Sequence, residues 1–331
     1  MYLSPVMLLP VYGLAVYFSY GFRLTYLAPR GIHLFILSSI ILWLGSAFGA
    51  LLAARWPRKV FRLVFAFAAA GYFIFPHVPF LGSFFMGMSI GSFWTVLTAH
   101  FMMGPGHGKR SGFVNSIATL VSFAVALLWG NLLSTYTHRQ VSVYYGLFVL
   151  LLSIFPLLSD FSYSRGFKLH KIFLIQYVVA FLNIFGSLQG IILFETGLSK
   201  PASLGAFIAA SSIVSALLSY LLGHLTDEFG GRKEAIRAFA ILFPPFFLYM
   251  LNYGSVYGLM LALAFINSIG TIIMSLVLAL QADLGLKGIE CMAFRQVVYA
   301  LGAATAFLFA ASPTLLAYSG IAMSLLLVTL L

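Results

Sequence analysis

Apolar runs of about 20 residues recur along the whole chain, each broken by a short polar turn, and this pattern leaves few folds open. A run of that length crosses a bilayer as an α-helix, because only a helix satisfies its own backbone hydrogen bonds without water. Twelve candidate spans fall at about 3–22, 33–54, 60–76, 80–103, 113–135, 142–158, 172–194, 203–224, 235–252, 256–281, 293–311 and 313–331. Proline or glycine marks many of the breaks, at Pro29, Gly31, Pro57, Pro105, Pro201, Gly254 and Pro313. Charged residues are 8% of the chain, against about 25% in soluble domains, too few to cover an aqueous surface. The expected class is an all-α integral membrane protein. Met1–Tyr20 is apolar but lacks a basic flank and a small-residue cleavage site, so it reads as a retained first span.

The net charge of +11 first suggests a nucleic-acid partner, but the basic residues sit in the short turns between spans. One set of alternate turns holds Arg55, Arg58, Lys59, Arg62, Lys109, Arg110, Arg165, Lys168, Lys171, Arg232, Lys233, Arg237 and Lys287, thirteen in all. The other set holds Arg23, Arg30, Arg139 and Lys200, which is four, and Arg295 falls within a span. Such a bias places the richer set in the cytoplasm, with both termini on that side of a plasma-type membrane and no nucleic acid as partner. Cys291 is the only cysteine, so no intrachain disulfide can form and no cysteine-based metal site is plausible. The seven histidines lie near span ends without ligand-like spacing, so no metal site is expected.

The chain also repeats itself. Gly223, Leu225, Arg232 and Lys233 recur 174 positions earlier as Gly49, Leu51, Arg58 and Lys59, each set closing a helix-length apolar run. Residues 80–113 can be laid on 261–294 at an offset of 181, pairing His100 with Gln281. The longest polar stretch between spans, 159–171, falls between the sixth and seventh. The expected organisation is an N-terminal six-helix bundle (1–158), a cytoplasmic linker (159–171) and a C-terminal six-helix bundle (172–331), related by pseudo-symmetry.

At Gly223-x-Leu-x-Asp227-x-x-Gly230-x-Arg232-Lys233 the sequence resembles the major facilitator superfamily, whose signature turn joins the second and third helices and often recurs between the eighth and ninth. Residues 283–302 are similar to that family's passage from helix 10 into helix 11. In this chain the second turn is the better copy; the first has Ala53 in place of the Asp and Trp56 in place of the Gly. Residues 80–90 lack the arginine that proton-coupled members often carry in helix 4, and residues 116–127 lack the Gly-Pro pattern of drug antiporters. Both departures argue against a proton-driven multidrug exporter.

The turn has a physical rationale. Gly223 allows close helix approach, Gly230 a tight reversal, and Arg232 and Lys233 favour an anionic leaflet. Asp227 is expected either to bond orphan backbone donors at the start of helix 5, near Gly112 with Arg110 as a partner, or to sit in a solvated turn. Because the first copy lacks its Asp, a charge-swapped latch is expected instead: Asp283 and Glu290 against Arg55, Arg58 and Lys59.

By resemblance, helices 1, 4, 7 and 10 line a central cavity. Polar side chains on common faces supply its candidates: Tyr12 and Ser19 on helix 1, Gln176, Asn183 and Ser187 on helix 7, and Asn267, Thr271 and Ser275 on helix 10. Trp94 and Ser89 are candidates on helix 4, and Asn115, Thr119 and Ser122 share a face of helix 5. Any such stripe could equally serve helix–helix hydrogen bonding. Arg295 either holds an anionic solute group or pairs with Asp283 or Glu290. Arg23 and Glu195, at the outer ends of helices 1 and 7, are candidates for an outer gate or, for Glu195, proton coupling. Gly87-x-Ser89-x-Gly91 matches a nucleophile elbow but lies mid-helix, without the strand that pattern needs; these glycines read as a packing pair, as do Gly45 with Gly49 and Gly186 with Gly190.

What the resemblance implies is a secondary transporter, uniport or ion-coupled, working by alternating access without a cofactor. Cavity candidates rich in aromatics and amides and poor in charge suit a small organic solute that is neutral or singly charged, and a monomer is the expected unit. No nucleotide-binding motif is present to supply ATP as the drive. A sensor or assembly protein with the same fold, and a membrane-embedded hydrolase, are the rival readings.

Overall fold

The computed structural model describes residues 4–184, 191–192, 200–252 and 254–331. Its helices, in chain order, are α1 (Leu9–Leu27), α2 (Ile32–Arg55), α3 (Pro57–Arg62), α4 (Val64–Ile74), α5 (Pro79–Phe101), α6 (His107–Thr135), α7 (His138–Leu151) and α8 (Ile154–Leu157). After the irregular segment 159–170 come α9 (Ile172–Asn183), α10 (Pro201–Glu228), α11 (Arg232–Ile241), α12 (Phe243–Leu251), α13 (Val256–Asp283), α14 (Ile289–Phe309) and α15 (Pro313–Leu330). Among the described residues there is no β-strand.

Among the described residues, nine apolar stretches built from these helices are long enough to cross a membrane. Helix α1 is not among them, because Tyr12, Tyr17, Ser19, Tyr20, Arg23 and Tyr26 dilute its apolar run. Three expected spans are broken. The sixth divides at Leu152 ahead of Pro156, and the ninth at Leu242 ahead of Pro244 and Pro245. Proline lacks the N–H that would carry the helical ladder through each break. The third divides at Leu63 between α3 and α4 with no proline to account for it.

Leu147, Leu151, Leu217, Leu221, Leu248 and Leu308 project outward, exposed, as lipid-facing side chains do. Lipid supplies no hydrophobic drive between helices, so close packing must hold them together. Glycine provides it. A Cβ on Gly45 or Gly49 of α2 would fall 2.3 or 2.2 Å from a backbone oxygen of α5, and one on Gly87 or Gly91 of α5 would strike α2 in return. The Gly-x-Ser-x-Gly stretch is therefore half of a helix–helix contact. Gly186 and Gly190 lie outside the described residues.

Helices α6 and α10, from opposite sides of the 159–171 segment, pack antiparallel by the same means. Gly108 and Gly112 meet Gly223 and Ser219 at one end, and Gly130 meets Pro201 and Gly205 at the other. The first of these ends also carries Arg58, Arg165, Arg232 and the 159–171 segment, joined by the contacts described next. It is called the basic end below.

Candidate functional site

At the basic end the last turn of α10 meets the first turn of α6. Asp227 accepts backbone N–H bonds from Gly108 at 2.9 Å and Lys109 at 2.7 Å. Those donors have no partner within their own helix, and the helix dipole favours the carboxylate. Asp227 also pairs with Arg232, which α11 presents directly after the turn. Gly230 and Gly231 make that turn with φ of +73° and +76°, a region that disfavours any side chain. Arg232 pairs in addition with Asp283 at the end of α13, and His107 Nδ1 lies 2.7 Å from the same carboxylate. Helix α6 starts at His107, five residues before the expected Gly112. Arg110 turns away from Asp227 and donates to the Phe101 carbonyl at 2.7 Å.

The expected charge-swapped latch takes a different form. Asp283 is held by Arg232 and His107, and Glu290 by the Gly166 N–H at 2.9 Å and Arg165 at 3.8 Å. Arg58 reaches only Asp160, at 4.0 Å between exposed side chains, while Arg55 stacks over Trp56 and Lys59 lies within the short α3.

The sequence repeat accounts for the difference. Asp227 caps α6 at Gly108; the related positions are Ala53 and, at the offset of 181, Ile289. Ala53 is fully buried and has no acceptor to offer. The Ile289 N–H bonds instead to the Ser164 carbonyl at 2.9 Å, so the 159–171 segment takes over the missing cap. The same segment touches the first half of the chain, where the Ser162 carbonyl lies 3.1 Å from His100 Nδ1 and Phe161 packs edge-on against Phe61. His100 is thus engaged away from Ser89, which is buried and unpartnered.

Between the two halves lies a cavity of about 320 Å³. Of the sequence candidates it takes Trp94, Asn183, Asn267, Thr271 and Arg295, together with Ser19, Asn115, Thr119 and Ser122. Two candidates lie elsewhere. Tyr12 stacks on Phe93 at 3.6 Å inside the first half, and buried Gln176 donates to the Met274 sulfur at 3.2 Å. Ser275 is likewise turned aside, toward Ser111 at 3.4 Å. Ser187 and Glu195 lie outside the described residues.

Of the outer-gate pair, Arg23 is described and Glu195 is not. Arg23 lines the cavity, 3% exposed, donating to Ser38 at 3.2 Å and Ser39 at 3.1 Å on α2. Arg295 lines it too, also 3% exposed, with the Met274 sulfur 3.8 Å away and neither Asp283 nor Glu290 as partner. Each guanidinium keeps an Nε without a hydrogen-bond partner, as does the Asn115 amide nitrogen. None of the acids among the described residues lines the cavity.

The lining also contains residues that sequence reasoning passed over: Tyr17 and Tyr20 of α1, Trp43 of α2, Trp129 of α6, and Gln296 and Tyr299 of α14. Gln296 bonds Ser46 of α2 at 3.1 Å, Tyr299 accepts from Asn183 at 2.8 Å, and Trp43 meets Tyr299 edge-on at 5.4 Å. The resemblance directed attention to helices 1, 4, 7 and 10, whereas helices 2, 5, 8 and 11 contribute as well. An amide or aromatic residue inside an apolar span was the available signal.

No protein-family model matches the sequence, and none of the curated proteins compared with it does. Solved structures do match. The human organic anion transporter MFSD10 (TETRAN) aligns with a TM-score of 0.71 at 14% identity over 98% of each chain. The E. coli fucose:proton symporter FucP gives 0.68 at 14% identity, again over 98% of each chain. FucP in the outward conformation, a major facilitator superfamily transporter, gives 0.63 at 13% over 98% of this chain and 99% of the other. At these identities the likeness concerns architecture: the chain has the major facilitator fold.

Proposed function

We propose that this chain is a secondary transporter that moves a small organic solute between its two six-helix halves by rocker-switch alternating access. The observation that carries the reading is the cavity, which both halves line with polar and aromatic side chains. A site at the interface of two related bundles becomes accessible from each side in turn when the bundles rock. Its volume suits a small molecule, since such sites run from about 300 to 1,000 Å³.

The contacts at the basic end supply a gate. Asp227 on the α6 N-terminus and the Arg232–Asp283–His107 cluster must part for the cavity to open there. The thirteen-to-four bias of Lys and Arg supports a cytoplasmic location for that end, with both termini on the same side of a plasma-type membrane. The cap that Ser164 gives Ile289 supplies a contact that the first turn, lacking its Asp, does not, which favours a transporting protein over a sensor of the same fold. The fold does not choose the solute's charge, because its neighbours include an organic anion transporter and a fucose:proton symporter.

Counterflow in proteoliposomes tests the reading, with a panel of sugars, amino acids, organic acids and nucleosides. A solute that exchanges in the intact protein should cease to do so in Thr271→Trp, which fills the cavity. Unchanged counterflow in that variant, with the protein folded, would refute a central route.

A further inference from the structure

The charge of the solute can be read from the hydrogen-bond accounting of the cavity wall, and the inference rests on the transporter reading above. Two guanidiniums face one small cavity, Arg23 from the first half and Arg295 from the second, and no acid among the described residues accompanies them. Arginine stays protonated even when buried, and a buried cation is costly unless an anion compensates it. Neutral hydroxyls at Ser38 and Ser39 and a thioether at Met274 solvate these groups without neutralising them. Among the described residues, the unmatched buried atoms of the lining are Arg23 Nε, Arg295 Nε and Asn115 Nδ2, all donors.

Four of the lining hydroxyls are already committed within their own helices: Thr98, Thr119, Ser212 and Thr271 donate to carbonyls there. What the described wall lacks is acceptors carrying two negative charges.

The spacing of the two cations says how those charges must be arranged. Arg23 is anchored at Ser39 of α2, and Gln296, next to Arg295, is anchored at Ser46 of the same helix. Seven residues of α-helix correspond to about 10 Å along the axis. Leu42 and Trp43 line the cavity from the stretch of α2 between these anchors. We infer that the solute is an elongated organic dianion, with one acidic group at Arg23, the other at Arg295, and an apolar middle lying against Leu42 and Trp43. One guanidinium belongs to each half, so such a solute bridges the moving parts.

The test uses four probes of matched or contrasting form: suberate, octanoate, the corresponding neutral diol, and the short diacid succinate. Binding is read by thermal shift and competition on purified full-length protein, and transport by counterflow of labelled suberate. Suberate is expected to bind about tenfold or more tighter than octanoate or succinate, since a charge-assisted contact is gained at the second end. In Arg23→Gln or Arg295→Gln that preference should collapse, so that suberate and octanoate bind alike. Arg23→Lys and Arg295→Lys should keep part of it, as a point charge without the fork.

The inference is overturned if octanoate, succinate or the diol competes as well as suberate in the intact protein, or if suberate does not bind. It is equally overturned if folded Arg→Gln variants keep the preference. Suberate binding with this charge signature but no counterflow would instead sink the transporter reading and leave the dianion site standing. Counterflow confined to neutral solutes would do the reverse.

Discussion

Asp227→Ala should loosen the basic end, and the structure sets the scale. The carboxylate accepts two backbone N–H bonds from the first turn of α6, and its side chain is 18% exposed. The Lys109 N–H lies toward water, which would replace its partner, whereas the Gly108 N–H is partly buried against Gly223. Arg232 would keep Asp283. One partly buried bond to a charged acceptor is worth about 1.5–3 kcal/mol, and loss of an N-cap carboxylate about 0.5–2. These figures overlap because they describe much the same contact, so about 2 kcal/mol is the expected cost. That corresponds to a shift of about 30-fold toward the state open at the basic end. The assay is alkylation of Ser111→Cys in a Cys291→Ser background. Ser111 is fully buried just beneath the gate, bonded to Ser275, so a reagent reaches it only when α6 and α13 separate. An unchanged alkylation rate in Asp227→Ala would show that this carboxylate does not hold the gate shut.

Gly223→Val should disrupt the α6–α10 contact, since even a Cβ there lies 2.3 Å from the Gly108 carbonyl oxygen. Overpacking of this kind costs about 1–3 kcal/mol; thermal unfolding in detergent at the intact protein's midpoint would contradict the close approach. Glu290→Gln should weaken the hold on the Gly166 N–H and Arg165, and tryptic cleavage at Arg165 or Lys168 should accelerate. Equal cleavage rates would mean that the segment is secured elsewhere. If the dianion reading holds, an empty carrier must reorient with two unneutralised guanidiniums, so exchange should outrun net efflux by about tenfold or more. Labelled suberate leaving proteoliposomes equally fast into plain buffer would contradict this.

Much of the architecture is local chemistry and could be read before any coordinates. Runs of apolar residues long enough to span a bilayer must become helices, whatever their neighbours. The turn at Gly230 and Gly231 follows from two residues that tolerate positive φ, and the acid beside it sits within reach of the helix start it caps. Polar stripes on α6 and α13 delivered Asn115, Thr119, Asn267 and Thr271 to the cavity, because a helix puts residues four apart on one face.

Tertiary packing decided the rest. Periodicity tells which residues share a face, but not what that face meets. Tyr12 and Gln176 had the right spacing and turned into the packing of their own half, and Arg23 had the look of an interfacial charge until Ser38 and Ser39 received it. The replacement of Ala53 by the Ser164 carbonyl is a backbone contact between segments far apart in the chain, and no side-chain pattern encodes it. Nor could the sequence say that Arg23 and Arg295, 272 positions apart, face one cavity without an accompanying acid among the described residues. The cost of a buried charge depends on everything around it, and only the assembled helices determine those surroundings.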